Sequence, residues 1–173
     1  KFYNAVPDMV AEAMAKISEI TGRTYKPFTY YGAEDAEHVI VAMGSVNETI
    51  KECIDYLATQ GQKVGLITVH LYRPFSEKYF FDVMPKSVQR IAVLDRTKEA
   101  GSIGEPLYLD VVGALKDTEI EVVGGRYGLS SKNFDPDQVL AVYKNMQSSK
   151  PKNHFTVGIN DDISNSSLPV KEH

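Results

Sequence analysis

The sequence predicts a three-layer α/β/α domain with a five-stranded, mostly parallel sheet. Short apolar runs rich in Val and Ile alternate along the chain with segments whose apolar side chains recur at helical spacing. This alternation is typical of parallel strands with helices on both faces, and right-handed crossovers make such a sheet doubly wound. The length of 173 residues and the 43% hydrophobic content suit one globular domain with a substantial core.

The first two elements are predicted to be a helix and an edge strand. One helical face is formed by Val6, Val10, Met14 and Ile17. Asn4 can cap this helix at its start, and Gly22 can end it. The aromatic segment 28–31 follows Pro27 directly. Because proline cannot donate a hydrogen bond to a neighbouring strand, we expect this segment at an edge of the sheet.

Further strands and helices are predicted to alternate along the rest of the chain. The strands are expected over residues 38–43, 64–71, 90–95 and 120–123. The helices are expected after Ser45, over residues 78–83 and 106–115, and after Asp135. Ser45 and Glu48 have the spacing of a capping box. Asp135 followed by Pro136 is a common start of a helix.

The segment 148–173 differs in composition from the rest of the chain. It is rich in Asn, Ser, Asp and Lys and contains only scattered apolar residues. We therefore predict a domain over residues 1–147, followed by a polar linker or an arm that packs on something outside this chain.

Composition argues against several classes of protein. The formal net charge of −4 disfavours nucleic-acid binding, which normally requires a basic surface. A single cysteine, Cys53, excludes an internal disulfide and a cysteine-ligated zinc or iron–sulfur site, and it favours a reducing, cytoplasmic environment. The apolar runs are far shorter than the roughly 20 residues of a membrane-spanning helix.

Two glycine-containing loops are the candidate ligand-binding positions, because open α/β sheets bind ligands beyond the carboxyl ends of their strands. One loop is the strand-to-helix turn at Gly44, and the other covers residues 97–105. The candidate residues are Gly44, Ser45, Lys98, Gly101, Ser102 and Gly104. Neither loop matches a P-loop or a G-x-G-x-x-G motif, so both also fit ordinary turns in which glycine supplies the required backbone angles.

We identify no catalytic residue and no metal ligand from the residues alone. The histidines lack the paired spacing of a metal site. Cys53 lies on the apolar face of its predicted helix, which indicates a buried and unreactive thiol. Asp95 ends a strand beside Arg96, and an ion pair between the two is the simpler interpretation, with catalysis by the carboxylate as the alternative.

Four side chains are candidates for contacts with a neighbouring domain: Arg73, Tyr30, Arg126 and Tyr127. Arg73 lies in an aromatic turn before Pro74, where it is expected to stack on Tyr72 or to contact a partner. Tyr30 belongs to the aromatic edge strand. Arg126 and Tyr127 lie in a glycine-rich segment and are expected to be exposed, either at an interface or simply in solvent.

Several long, ordered blocks of this sequence closely resemble the pyruvate:ferredoxin (flavodoxin) oxidoreductase family. They cover residues 31–45, 71–75, 97–111, 125–132 and 155–162. The resemblance extends over essentially the whole chain. It corresponds to the internal second domain of a much longer polypeptide, which is similar to the C-terminal domain of transketolase.

The resemblance carries expectations about fold and activity. It implies the strand order 1-3-2-4-5, with the first strand antiparallel at the edge. The family oxidatively decarboxylates pyruvate with coenzyme A, giving acetyl-CoA, CO2 and reduced ferredoxin or flavodoxin. It uses thiamine diphosphate, magnesium and iron–sulfur clusters, which the resemblance places in other domains of a parent that is expected to be a homodimer. No catalytic residue transfers to this chain, because neither cluster cysteines nor a thiamine diphosphate motif occurs in it.

Two hypotheses about function follow. In the first, the chain is a structural domain that docks the catalytic domains through its edge aromatics and Arg73. In the second, the crevice between Gly44, Ser45 and the 97–105 loop binds an anion, such as part of coenzyme A or a nucleotide, with help from Lys98.

Overall fold

The computed structural model describes residues 2–159 and 163–170, in which strands and helices alternate as the sequence predicts. The strands are β1 (Phe28–Gly32), β2 (His38–Met43), β3 (Val64–Val69), β4 (Arg90–Asp95), β5 (Glu121–Arg126) and β6 (Phe155–Thr156). The helices are α1 (Phe2–Thr21), α2 (Val46–Thr59), α3 (Glu77–Val83), α4 (Pro106–Leu115) and α5 (Pro136–Gln147).

The strand order in the sheet is β1-β3-β2-β4-β5-β6. β1 runs antiparallel to β3, and the other pairs are parallel. The predicted order of the first five strands and the antiparallel edge strand are therefore confirmed. The carbonyl of Pro27 accepts the N–H groups of His70 and Leu71, so the proline closes the edge of the sheet without having to donate a hydrogen bond.

The sixth strand corrects the prediction of five strands and part of the prediction for the tail. Phe155 and Thr156 pair with β5, and the N–H of Leu168 donates to the carbonyl of Thr156 at 2.8 Å. Phe155, Val157 and Leu168 are buried in the core of this domain, so these residues pack on their own sheet. The tail makes these contacts through short segments whose sequences show no apolar periodicity. Its polar composition therefore indicated an arm.

Two stretches of the tail lie outside the part of the chain that the structure describes. Residues 160–162, which belong to the block 155–162, and residues 171–173 lie outside the described part of the chain. That the tail leads into a further domain stays a prediction.

Two apolar clusters fill the two sides of the sheet. Alternate residues of β2 divide between them: Ile40 packs with α2 and α5 on one side, and Val39 and Val41 pack with α3 and α4 on the other. β3 is buried along its whole length, as expected for a strand covered on both faces.

Two helix starts differ from the prediction. α1 already includes Asn4 and begins at Phe2, so Asn4 does not cap it. Ser45 has helical backbone angles and its side chain makes no capping hydrogen bond, so the predicted capping box with Glu48 is wrong. Instead, the side-chain amide of Asn47 donates to the carbonyl of Gly44 at 2.7 Å.

Candidate functional site

A cavity of about 390 Å³ lies at the carboxyl ends of β2 and β4, where the strand order predicts a ligand crevice. Its lining residues are Met43, Gly44, Ser45, Tyr72, Leu94, Asp95, Arg96, Thr97, Pro106 and Tyr127. Of the candidate ligand-binding residues, the fold brings Gly44 and Ser45 to this cavity. Lys98, Gly101, Ser102 and Gly104 lie in the adjoining loop but do not line it.

The far part of the 97–105 loop is held together by its own hydrogen bonds. The N–H of Ser102 donates to the carbonyl of Glu99 at 3.1 Å, and the hydroxyl of Ser102 donates to the carbonyl of Gly104 at 2.7 Å. A Cβ at Gly104 would come within 2.6 Å of the Tyr108 ring. Ser102 and Gly104 therefore each have a role in shaping this turn.

Asp95, at the end of β4, lines the cavity and caps the start of α4. Its carboxylate accepts the N–H groups of Leu107 at 3.0 Å and Tyr108 at 3.1 Å, in the first turn of α4. The side chain is buried, and this burial raises the pKa of the Asp95 carboxyl above its ordinary value. The predicted ion pair with Arg96 is not among the ion pairs of the described residues, so the expected pairing is replaced by a cap.

This cap changes the electrostatics of the crevice. The N-terminus of a helix attracts an anion because its first N–H groups lack partners. In α4, two of those groups already bind the Asp95 carboxylate. At the start of α2, the N–H groups of Asn47 and Glu48 also have acceptors, the carbonyls of Gly44 and Ser45 at 3.3 and 3.2 Å. The space beside Gly44 is nevertheless open, because nothing lies within 4 Å of the position that a Cβ would take there.

Arg73 is exposed on the same side of the domain, and its guanidinium is held in place by two neighbours. It forms an ion pair of 2.9 Å with Asp110 and lies 4.9 Å from the centre of the Tyr72 ring. The predicted stacking on Tyr72 is confirmed. A contact of Arg73 with a partner stays a prediction.

Tyr30 is only partly accessible. Its hydroxyl donates to the carbonyl of Ala33, and its ring covers Gly65 of β3 so closely that a Cβ at that glycine would overlap it. The absence of a side chain at Gly65 therefore makes room for Tyr30, which packs along the sheet edge.

Arg126 and Tyr127 are not the exposed side chains that the sequence predicts. Tyr127 is 6% exposed and packs on Phe134 at a ring separation of 4.9 Å. The side chain of Arg126 is 15% exposed, lies 3.6 Å from the carboxylate of Glu105, and donates to the carbonyl of His154. The glycine-rich composition of this segment is typical of a loop. Residues 121–126 instead form β5, which lies between β4 and β6, so the side chains of Arg126 and Tyr127 are enclosed.

Two titratable side chains outside the crevice, His70 and Cys53, are held within the fold by hydrogen bonding or burial. His70 hydrogen-bonds Thr29 at 3.0 Å. Cys53 is buried, as predicted, and burial raises the pKa of its thiol to about 11. That this thiol is unreactive stays a prediction. Within residues 2–159 and 163–170, no group of three His, Cys, Asp or Glu side chains could hold a metal ion. The helices in these ranges include none long and apolar enough to cross a membrane.

Sequence reasoning missed the exposed apolar surface of α1. Phe2, Tyr3, Met9 and Ile20 are exposed, and Ile17, which was expected on the inner face, is about half exposed. The available signal was the apolar content of α1 on more than one side.

The fold and the crevice define an open-sheet α/β domain whose described residues form no catalytic set. Residues 36–139, more than half of the chain, match the family described as pyruvate:ferredoxin oxidoreductase core domain II. The chain belongs to this family.

Two relatives agree with this assignment. Pyruvate-flavodoxin oxidoreductase of Enterobacter agglomerans is 55% identical over 174 residues, and pyruvate:ferredoxin oxidoreductase of Moorella thermoacetica is 56% identical over 174 residues. Each match covers 99% of this chain and 15% of the relative. The chain therefore spans about 15% of the length of these relatives.

One solved structure supports the fold. The 2-oxoglutarate:ferredoxin oxidoreductase from Magnetococcus marinus, with 2-oxoglutarate, coenzyme A and succinyl-CoA bound, matches with a TM-score of 0.51 and 17% identity. The match covers 76% of this chain and 21% of that one. At this identity the likeness concerns the fold alone.

Proposed function

We propose that this chain is a docking domain of a longer enzyme that oxidatively decarboxylates pyruvate with coenzyme A. The products are acetyl-CoA, CO2 and reduced ferredoxin or flavodoxin. The proposal is supported by membership of the oxidoreductase family and by the small share of the relatives that the chain spans. Thiamine diphosphate, magnesium and the iron–sulfur clusters are held by other domains of a homodimeric, cytoplasmic parent that uses coenzyme A, and this chain alone is inactive.

The observation that carries this proposal is the exposed apolar surface of α1. Large apolar side chains in contact with water are unfavourable, and a group of them on one element marks a contact surface. Arg73 adds a polar contact point, because the ion pair with Asp110 orders its guanidinium. Tyr72 and Phe75 beside it are partly buried against the domain's own core, so they hold this segment in place and only their remaining exposed parts could add to a contact.

A second candidate function uses the crevice. The open turn at Gly44 and the adjacent start of α2 favour a small anion, such as a phosphate of coenzyme A or of a nucleotide. The buried Asp95 carboxylate lines the same cavity, and a negative charge there opposes anion binding. This balance makes anion binding the weaker of the two candidates.

A titration of the isotope-labelled chain with coenzyme A, followed by backbone amide NMR shifts, tests the two candidates. The docking function predicts no saturable shift at Gly44, Ser45 or residues 97–105. Saturable shifts confined to these residues would give the domain its own ligand site. Inorganic phosphate is the matched probe, since it reports a simple anion site without the rest of the cofactor. Replacing Lys98 by Ala then shows whether that side chain takes part.

A further inference from the structure

One face of α1 is fixed to the body of the domain. Pro7 is buried there. The carboxylate of Asp8 accepts hydrogen bonds from the Tyr79 hydroxyl at 2.7 Å and from the Lys78 ammonium at 3.1 Å. Further along, Ala11, Ala15 and Ser18 line a groove whose opposite wall includes Tyr79 and Val83. These contacts determine which side of α1 points away from the domain.

The outward side carries a second apolar stripe. Its members are Phe2, Met9, Ala13 and Ile20, which are exposed, and Val6, which is partly buried. Their spacing follows the alternating four- and three-residue steps by which one helix packs along another, and Lys16 occupies the position between Ala13 and Ile20. Phe2 is 73% exposed, Met9 is 62% exposed and Ile20 is 83% exposed. A helix that is apolar on two faces is typical of one that is covered on both.

Charged residues beside this stripe indicate what covers it. Glu12 and Glu19 lie along one side of the stripe, one heptad apart, and both are exposed. A second copy of α1 packed antiparallel would place these acids against the same acids of its partner, which is unfavourable. Packed parallel, the acids would lie against apolar residues such as Ile17. The partner must also accommodate Lys16, which lies within the stripe. A helix with basic residues beside its own apolar stripe and one acid opposite Lys16 satisfies the three charges and the apolar groups.

We propose that the outward stripe of α1 is covered by an amphipathic helix with Lys or Arg residues beside its apolar face, contributed by another domain of the longer polypeptide. This inference rests on the proposed docking function and names the surface and the partner. The relatives are several times longer than this chain, and the part outside it can supply such a helix.

Hydroxyl-radical footprinting tests the inference, with Met9 as the probe because methionine oxidises readily and this side chain is exposed. Oxidation is measured by mass spectrometry in the 173-residue chain and in the intact enzyme. The inference predicts that Met9 reacts several-fold more slowly in the intact enzyme. Equal rates in the two proteins would overturn the inference and would also remove α1 from the docking function. A stripe that is protected in the intact enzyme, but not by a basic helix, would overturn the inference alone and leave the docking function standing.

Charge reversal tests the nature of the partner. In the intact enzyme, the double change E12K/E19K is expected to raise the Met9 oxidation rate several-fold, since it would place like charges against each other beside the apolar contact and so weaken docking. The control is E52K on α2, compared with the single change E12K, because it reverses one exposed acid away from the stripe. Protection that survives E12K/E19K would overturn the assignment of a basic helix.

Analytical ultracentrifugation of the chain alone tests whether a second copy of the chain covers the stripe instead. The inference predicts a monomer whose Met9 is reactive at all concentrations. A dimer that protects Met9 and dissociates on Met9→Lys would instead assign the stripe to a second copy. Because the side chain of Met9 is mostly exposed, this substitution is expected to leave the fold intact, which circular dichroism checks.

Discussion

Replacing Asp95 by Ala is expected to destabilise the domain far more than removing an ordinary helix cap. The Asp95 carboxylate accepts two buried N–H groups of α4, from Leu107 and Tyr108. Each buried donor left without a partner costs roughly 1–3 kcal/mol. The burial that raises the pKa of Asp95 offsets part of this loss, so we expect a net decrease of about 2–4 kcal/mol in the free energy of unfolding.

Urea unfolding of the chain at neutral pH, followed by circular dichroism, measures this difference. The control is Asp135→Ala, because Asp135 caps α5 through one backbone N–H, that of Gln138, at 3.2 Å, and accepts one further hydrogen bond from the side-chain amide of Gln138 at 3.2 Å. Loss of such a cap costs about 1 kcal/mol. If Asp95→Ala were no more destabilising than Asp135→Ala, the buried cross-element cap would not have the importance that its geometry indicates.

Four further outcomes are expected. Because the native pKa of Asp95 is raised, the native state retains this proton to higher pH than the unfolded chain, so the contribution of Asp95 to stability falls as pH rises from about 4 through the native pKa. The difference between pH-dependent urea melts of the chain and of Asp95→Asn isolates this contribution, since Asp8 and Asp35, whose pKa values are lowered, give the opposite slope in both proteins. Phe155→Ala lowers the free energy of unfolding by about 3–5 kcal/mol, because Phe155 is fully buried, and a loss below 1 kcal/mol would place the tail outside the core. Cys53 reacts with a thiol reagent at pH 8 only after unfolding, because burial raises its pKa to about 11; rapid native labelling would contradict this. Arg73→Ala changes the stability of the chain by less than about 1 kcal/mol, since its ion pair with Asp110 is exposed, but it lowers turnover of the intact enzyme, and unchanged turnover would remove Arg73 from the interface.

The central sheet is the part of the fold that the residues predict best. β2, β3 and β4 are continuous apolar runs, and such runs occur in strands buried on both faces. Pro27 identifies the edge strand for a separate steric reason. β6 could not be found in this way, because a two-residue strand has no period and its pairing partner, β5, lies far earlier in the chain.

The crevice could be located from sequence, but its details could not. The position of Gly44 and Ser45 follows from the strand order. The cap formed by Asp95 depends on a contact between β4 and the start of α4, twelve residues later, which no local pattern encodes. Similarly, Tyr127 and Arg126 lie in a glycine-rich stretch that resembles a loop, and only pairing with both neighbouring strands shows that they are enclosed.

The most direct measurement for the central claim is an activity assay of the 173-residue chain by itself. The chain is supplied with pyruvate, coenzyme A, thiamine diphosphate, magnesium and an oxidised viologen as electron acceptor, and the intact enzyme serves as the positive control. A docking domain without a catalytic set predicts no viologen reduction above the protein-free background. Reduction that depends on the chain and saturates with pyruvate would contradict the account.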